Sequence, residues 1–243
     1  MTQSPAAFLF GGGWDAAMAG LYAGFLAACG PAEPEIACLI LDEGAGADDR
    51  RFIDALHAAG RCRPRPVVLR LGEAWDGTGL DGADALFVCG GLTPGYQEAL
   101  APAAGTVRNW LAGGRPYGGF SAGAALAAGA AVVGGWRIDD RQVCPDEAGE
   151  DLDDVTVRPG LGLVPFAVDV HCAQWGTLPR LVAAVDSGLV PAGVAIDENT
   201  LLAVRGGTAT VHGRGHAWLV AADRTVTPMS AGRSVEVDAA LRR

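Results

Sequence analysis

The segment Gly119-Phe120-Ser121-Ala122-Gly123 carries the most specific chemistry in the chain. It follows a strand-like run and opens a helix-like one, and its glycines permit a tight turn that a Cβ would obstruct. Such a turn lifts the serine hydroxyl over the carboxyl end of a sheet, the geometry of a nucleophile elbow. The backbone N–H of Ala122, free at the start of the following helix, could supply half of an oxyanion hole. The bland alternative is a Gly/Ala-rich helix start with Ser121 as its cap.

A serine nucleophile needs a base, and the chain has four histidines: His57, His171, His212 and His216. His57 lies in a charged helical pattern, and His212 and His216 lie in a β-rich tail. His171 ends the apolar run Phe166–Val170, where a strand tip should meet the same sheet edge as Ser121. Asp197 and Glu198 end another strand-like run, Ala192–Ile196, and either could orient a base there. Gly90-Gly91 ends a fourth such run and can offer further N–H groups to an oxyanion. Four strand ends should therefore converge on one crevice, where open α/β sheets bind ligands. Two other readings stay open on these residues. One is an esterase using Ser121 with Asp186 or Asp197 and then His212 or His216. The other is a small-molecule-binding protein that keeps the crevice without turnover.

The elements that must hold these residues follow an α/β rhythm. The run Ile36–Leu41 is continuously apolar, as a strand buried on both faces should be. Ala7–Phe10, Val67–Leu71, Ala85–Cys89 and Pro116–Phe120 read as further strands. Helix-like stretches at 16–29, 50–59, 97–111 and 122–128 separate them. Ile138 to Pro159 holds eight acids and two arginines and reads as a loop or small excursion, and from Leu201 the pattern turns β-rich. The expected fold is α/β, a mostly parallel sheet flanked by helices on both faces, with a β-rich C-terminal part. No linker divides the chain, so 1–243 should be one domain.

Composition removes other classes of function. Of the 243 residues half are apolar and 19% are charged, enough for a sizeable core. There are 28 acids against 18 bases, and every base is arginine. A net charge of −10 argues against a nucleic-acid partner. The first arginine is Arg50, so a secretory signal with its positive start is not expected. The uncharged stretches 16–32 and 116–136 read as core rather than membrane spans; the second holds six glycines and few large apolar side chains. The six cysteines at 29, 38, 62, 89, 144 and 172 form no C-x-x-C pair and no zinc spacing. Buried free thiols and a reducing cytoplasm are the expectation.

Five motifs in order carry a resemblance. They are Gly119–Ala125, Gly160-Leu161-Gly162-Leu163, Asp169-Val170-His171 with Gln174, Arg180-Leu181, and Ile196-Asp197-Glu198-Asn199-Thr200. Together they resemble the cyanophycinase and dipeptidase E family of serine peptidases, and the likeness runs from about residue 8 to about 205. The resemblance implies a fold like that of class I glutamine amidotransferases, with serine where those enzymes use cysteine. It implies Ser121 as nucleophile, His171 as base and Glu198 as orienting acid. The dipeptidase branch has its acid between serine and histidine, which keeps Asp139 and Asp140 as rivals. Gly91 and Ala122 become the oxyanion donors, and Leu92, Thr93, Asp169, Gln174 and Trp175 fall at substrate-binding positions. The reaction implied is acyl transfer to water, with no metal or organic cofactor.

The departures from the family bear on the substrate. Family members often read Gly-Gly-Asp/Asn-Gln/Thr where this chain has Gly90-Gly91-Leu92-Thr93. Trp175 and Thr177 stand where two arginines are usual, and arginine suits carboxylate binding. The expected partner is a small peptide or amide with an apolar group near Trp175 and Leu92, rather than an aspartyl one. The acidic stretch Asp139–Asp154 could border the cleft and attract a peptide amino terminus. A homodimer stays open.

Overall fold

The structure is a computed structural model and describes residues 5–241. Five strands pair in parallel: β1 (Ala7–Phe10), β2 (Glu35–Asp42), β3 (Arg63–Arg70), β4 (Ala85–Val88) and β5 (Tyr117–Phe120). Their order is β1-β5-β4-β2-β3. The six apolar residues Ile36–Leu41 of β2 are all buried, because helices cover both faces of the sheet.

Strand alternation sorts the side chains between those faces. Phe8 and Phe10 of β1 meet Phe25 of α1 (Ala23–Ala28) and Tyr22, at 5.7 and 4.5 Å between ring centroids. Phe120 of β5 meets Phe52 of α2 (Arg50–Ala59) at 5.4 Å on the same side. On the other face α3 (Thr93–Leu100) packs on α5 (Ala122–Leu126), and α4 (Ala104–Leu111) follows α3 after one 3-10 turn at Pro102. Gly123 of α5 lies directly against Val88 of β4, where a side chain would strike the Val88 carbonyl.

After α5 the chain forms β6 (Ala130–Gly134), a small hairpin of β7 (Arg137–Ile138) and β8 (Arg141–Gln142), and β9 (Thr156–Pro159), which returns to pair with β6. The acidic stretch is thus an excursion with its own short strands. Next come β10 (Ala167–Val170), α6 (Cys172–Trp175), α7 (Leu178–Asp186) and β11 (Gly193–Ile196). β12 (Thr200–Arg205) lies antiparallel to β1, and β13 (Thr208–Gly213) lies beside it. β14 (His216–Val220), β15 (Val226–Ser230), β16 (Ser234–Glu236) and α8 (Val237–Leu241) complete the described chain.

Three local expectations differ from this architecture. The apolar runs ending at Val170 and Ile196 do not join the parallel sheet; they form β10 and β11 of a second sheet, ordered β10-β11-β14-β15. Apolar periodicity marks a buried strand but not its neighbour, and β11 finds its second partner in β14, far along the chain. The helix expected at 122–128 stops at Leu126, and the N–H groups of Leu163 and Val164 bond the Ala127 carbonyl instead. The stretch 16–22 is 3-10 rather than α-helical, started by Asp15, whose carboxylate accepts the Ala17 N–H at 2.9 Å.

Candidate active site

Ser121 sits where β5 turns into α5, with φ 52° and ψ −109°. That is a strained conformation for a residue with a Cβ, and such strain persists only where the surroundings dictate it. Here they do. Gly119 has no room for a side chain, since a Cβ would lie 2.5 Å from the Gly123 carbonyl. Tyr117, fully buried, donates its hydroxyl to that same carbonyl at 2.6 Å. Strand and helix therefore close tightly, and the serine is thrown outward between them.

His171 follows β10 and also has positive φ, 53°. Its Nε2 lies 2.7 Å from Ser121 Oγ, and its Nδ1 lies 2.7 Å from Glu198 Oε1. Glu198 follows β11, so the two strand ends of the second sheet deliver the histidine and the acid. Gln174 fixes the acid's backbone, its side-chain oxygen accepting the Glu198 N–H at 2.8 Å.

The glycine run Gly11-Gly12-Gly13 after β1 joins the two sheets. The Gly11 carbonyl accepts the His171 N–H at 2.9 Å, and the Gly12 carbonyl accepts the Asn199 N–H at 2.7 Å. Gly12 has φ +105°, and a Cβ there would overlap the His171 ring, 2.1 Å from Cε1 and 2.5 and 2.8 Å from its two nitrogens, over a face of the imidazole. In the sequence the run shows only as three glycines after an apolar strand. Its signal was three glycines together, which marks close backbone approach. Gly12→Ala is expected to keep secondary structure but to slow labelling of Ser121 by a fluorophosphonate about 100-fold or more, since displacement of a reacting group by about 1 Å has that effect. An unchanged labelling rate would show that the ring tolerates the shift.

Ser121, His171 and Glu198 open into a cleft of about 920 Å3. Gly91, Leu92, Trp136 and Trp175 border it, as do Glu43 and five acids between Asp146 and Asp153; Arg51 is the arginine among its lining residues. Among the described residues the N–H groups of Gly91 and Ala122 have no protein acceptor. The next two N–H groups of that loop are taken by carboxylates: Leu92 donates to Glu43 and Thr93 to Glu150, each at 2.9 Å. Burial pushes the Glu150 carboxyl up from its ordinary range, and the Thr93 N–H partly opposes this. Neither Glu43 nor Glu150 stood out in the sequence, because single acids in an acidic chain carry no spacing signal.

The remaining site candidates divide. Leu92 and Trp175 line the cleft. Thr93 is buried behind it, and Gln174 serves Glu198. Asp169 is buried below, with both carboxylate oxygens held by Arg180 at 2.9 and 2.6 Å. Burial works against the Arg180 charge, but Asp169 outweighs it and holds the guanidinium firmly protonated. Thr177 is buried and donates its hydroxyl to the Val170 carbonyl. Asp139 and Asp140 form the tip of the β7–β8 hairpin, and neither lines the cleft. Asp197 is a buried acceptor for Ala173 N–H, His216 N–H and the Trp218 indole. Asp186 pairs with Arg224 at the surface. Of the histidines His171 alone lines the cleft; His212 lies on β13 and His216 beside Asp197.

Burial lowers the His171 pKa from its ordinary 6.5, and the bond to Glu198 works in the other direction. At neutral pH the imidazole is therefore free to accept a proton. The six cysteines are buried and unpaired, and burial pushes Cys38 up to about 12. They are poor nucleophiles at neutral pH. Among the described residues no helix is long and apolar enough to cross a membrane.

This architecture is a mixed α/β fold shared with solved peptidase structures. Its fold is similar to that of a peptidase from an acI-B1 actinobacterium, with a TM-score of 0.69, 18% identity, and 97% of this chain and 98% of that one covered. It is also similar to a protein assigned as a peptidase E from Listeria monocytogenes EGD-e, with a TM-score of 0.58, 16% identity, and 87% and 99% covered. No family model and no curated protein sequence matches the chain.

Proposed function

We propose that the chain is a serine peptidase or amidase of the cyanophycinase and dipeptidase E kind, with a glutamine amidotransferase-like fold, acting on a small peptide or isopeptide. The observation that carries this reading is the unbroken line from Ser121 Oγ through the His171 ring to Glu198, with 2.7 Å at each contact. Shared fold with peptidases supports it.

In the reaction, His171 Nε2 takes the hydroxyl proton as Ser121 Oγ bonds to the carbonyl carbon. Glu198 holds Nδ1–H and balances the imidazolium. The N–H groups of Gly91 and Ala122 receive the oxyanion, each such donor being worth about 3 kcal/mol. The intermediate expels the amine, which takes the proton from Nε2, and leaves an ester on Ser121. Water then gives a proton to Nε2 and attacks the ester carbon; the C–Oγ bond breaks, Nε2 returns the proton to Ser121 Oγ, and the acid is released. Six buried free thiols suit a reducing compartment, which supports the cytoplasm as the place of the reaction.

Substrate class follows from the lining. Among the described residues six carboxylates besides Glu198 line the cleft, with Arg51 as its arginine. That field favours a peptide amino terminus and disfavours an aspartyl side chain. Leu92, Trp136 and Trp175 offer apolar area. An adjoining apolar pocket of about 290 Å3, walled by Phe10, Trp14, Met18, Tyr22 and Phe120, shares Gly13, Trp14, Arg51 and Phe120 with the cleft. Its size suits an aromatic or branched aliphatic side chain.

A β-aspartyl dipeptide assayed beside matched peptides with Leu or Phe at the same position tests this, with Ser121→Ala as the blank. A carboxylate without a charged partner forgoes about 1.5–3 kcal/mol, so kcat/KM for the apolar peptides should be higher by about tenfold or more. A preference for the β-aspartyl peptide would overturn the substrate assignment.

A further inference from the structure

The indole of Trp175 lies flat on the His171 imidazole, with ring centroids 3.9 Å apart and planes within 9°. This contact is built from the backbone up. The Trp175 N–H bonds the His171 carbonyl at 2.7 Å, one helical turn back. Gly176, at φ 68°, ends the helix directly after it. The next helix is anchored at Thr177, whose hydroxyl donates to the Val170 carbonyl. Trp175 is nevertheless 42% exposed, stacked on the imidazole and lining the cleft. An exposed tryptophan stacked on a buried histidine contributes little to the core.

Four groups surround the imidazole. Ser121 meets Nε2, Glu198 meets Nδ1, the Gly12 backbone closes over the ring near Cε1 and Trp175 stacks on a face. The charged groups facing the ring are Glu198 after β11, Asp169 on β10 and Arg180 on α7. Glu43, Glu150 and Arg51 line the same cleft. Trp175 is the aromatic group stacked on the ring, and an aromatic face attracts a cation more than a neutral ring.

We infer that Trp175 is a positioning residue for His171: it holds the imidazole in the plane that serves Ser121 and Glu198 together, and it favours the imidazolium that forms during attack. The inference rests on the reading of His171 as the base. An interaction stronger with the charged ring than with the neutral one acts on the transition state rather than on the resting enzyme.

The test compares Trp175→Phe, which keeps an aromatic face, with Trp175→Leu, which keeps an apolar cover without one. The first readout is the NMR titration of the His171 Cε1 proton, assigned with His171→Asn. The second is the rate of Ser121 labelling by a fluorophosphonate at pH 8, in which Oγ bonds to phosphorus and fluoride leaves. In Trp175→Phe the titration midpoint should stay at the wild-type value and labelling should hold within about threefold. In Trp175→Leu the midpoint should fall by about half a pH unit, and labelling should slow about tenfold. An unmoved midpoint or unchanged labelling in Trp175→Leu overturns the inference and leaves Trp175 a wall of the cleft. Absence of labelling in the wild type is a different result: it overturns the reading of Ser121 and His171, whereas the NMR midpoint still reports on the stacking.

Discussion

Ser121→Ala and His171→Ala are each expected to remove nearly all hydrolysis, by a factor on the order of 10⁵–10⁶ in kcat, with no loss of fold. The residues of such a unit are not additive: without the hydroxyl the base has nothing to activate, and without the base the hydroxyl is a weak nucleophile. Ser121 Oγ has His171 Nε2 as its protein partner and both line the cleft, so alanine leaves that nitrogen facing the cleft rather than the core. Glu198→Gln should also cost activity strongly, on the order of 10³–10⁴-fold, because an amide cannot balance the imidazolium. Asp139→Asn should be neutral, since Asp139 caps a hairpin outside the cleft. Steady-state rates on any hydrolysed peptide, with circular dichroism as the check on fold, decide this. Substantial turnover in His171→Ala would move the base elsewhere, and a larger effect of Asp139→Asn than of Glu198→Gln would move the acid.

Arg180→Met is expected to give the largest loss of stability, about 3–5 kcal/mol. The guanidinium is buried, holds both oxygens of buried Asp169, and donates to the carbonyls of Ala148 at 2.6 Å and Gly135 at 3.2 Å. Removing it leaves Asp169 charged, buried and alone, and frees the acidic stretch at its root. The double variant Asp169→Asn, Arg180→Met should recover part of the loss, because the uncompensated charge is gone. A urea midpoint for each variant measures this. A loss below about 1 kcal/mol in the single variant would mean that water or another cation reaches Asp169.

Much of the architecture follows from short-range sequence pattern. Ile36–Leu41 and Ala85–Val88 are apolar without interruption because helices bury both of their faces, so they read as inner strands. The elbow at Ser121 is legible because its conformation needs glycines at fixed offsets, and sequence records that requirement directly. Partnering is not recorded in the same way. Nothing in Ala167–Val170 says that it lies beside β11 in a separate sheet, since a four-residue apolar strand packs equally well in either. The site shows the same division. Ser121, His171 and Glu198 could be picked out from strand ends and from a family resemblance. The contributions of Gly12, Glu43 and Glu150 depend on approaches between segments far apart in the chain. Asp169 and Arg180, eleven residues apart, both stood in recognised motifs, but only burial distinguishes a structural ion pair from a substrate contact.

The central claim is that Ser121 is a nucleophile activated by His171, and covalent labelling tests it without knowledge of the substrate. The protein is treated with a fluorophosphonate at pH 8, its intact mass is measured, and the modified peptide is sequenced. The account predicts one adduct per chain, on Ser121, absent in Ser121→Ala and strongly slowed in His171→Ala. The rate should rise with pH through a midpoint below 6.5, as the lowered pKa of His171 requires. An unmodified chain, or an adduct on another residue while Ser121 stays free, would contradict it.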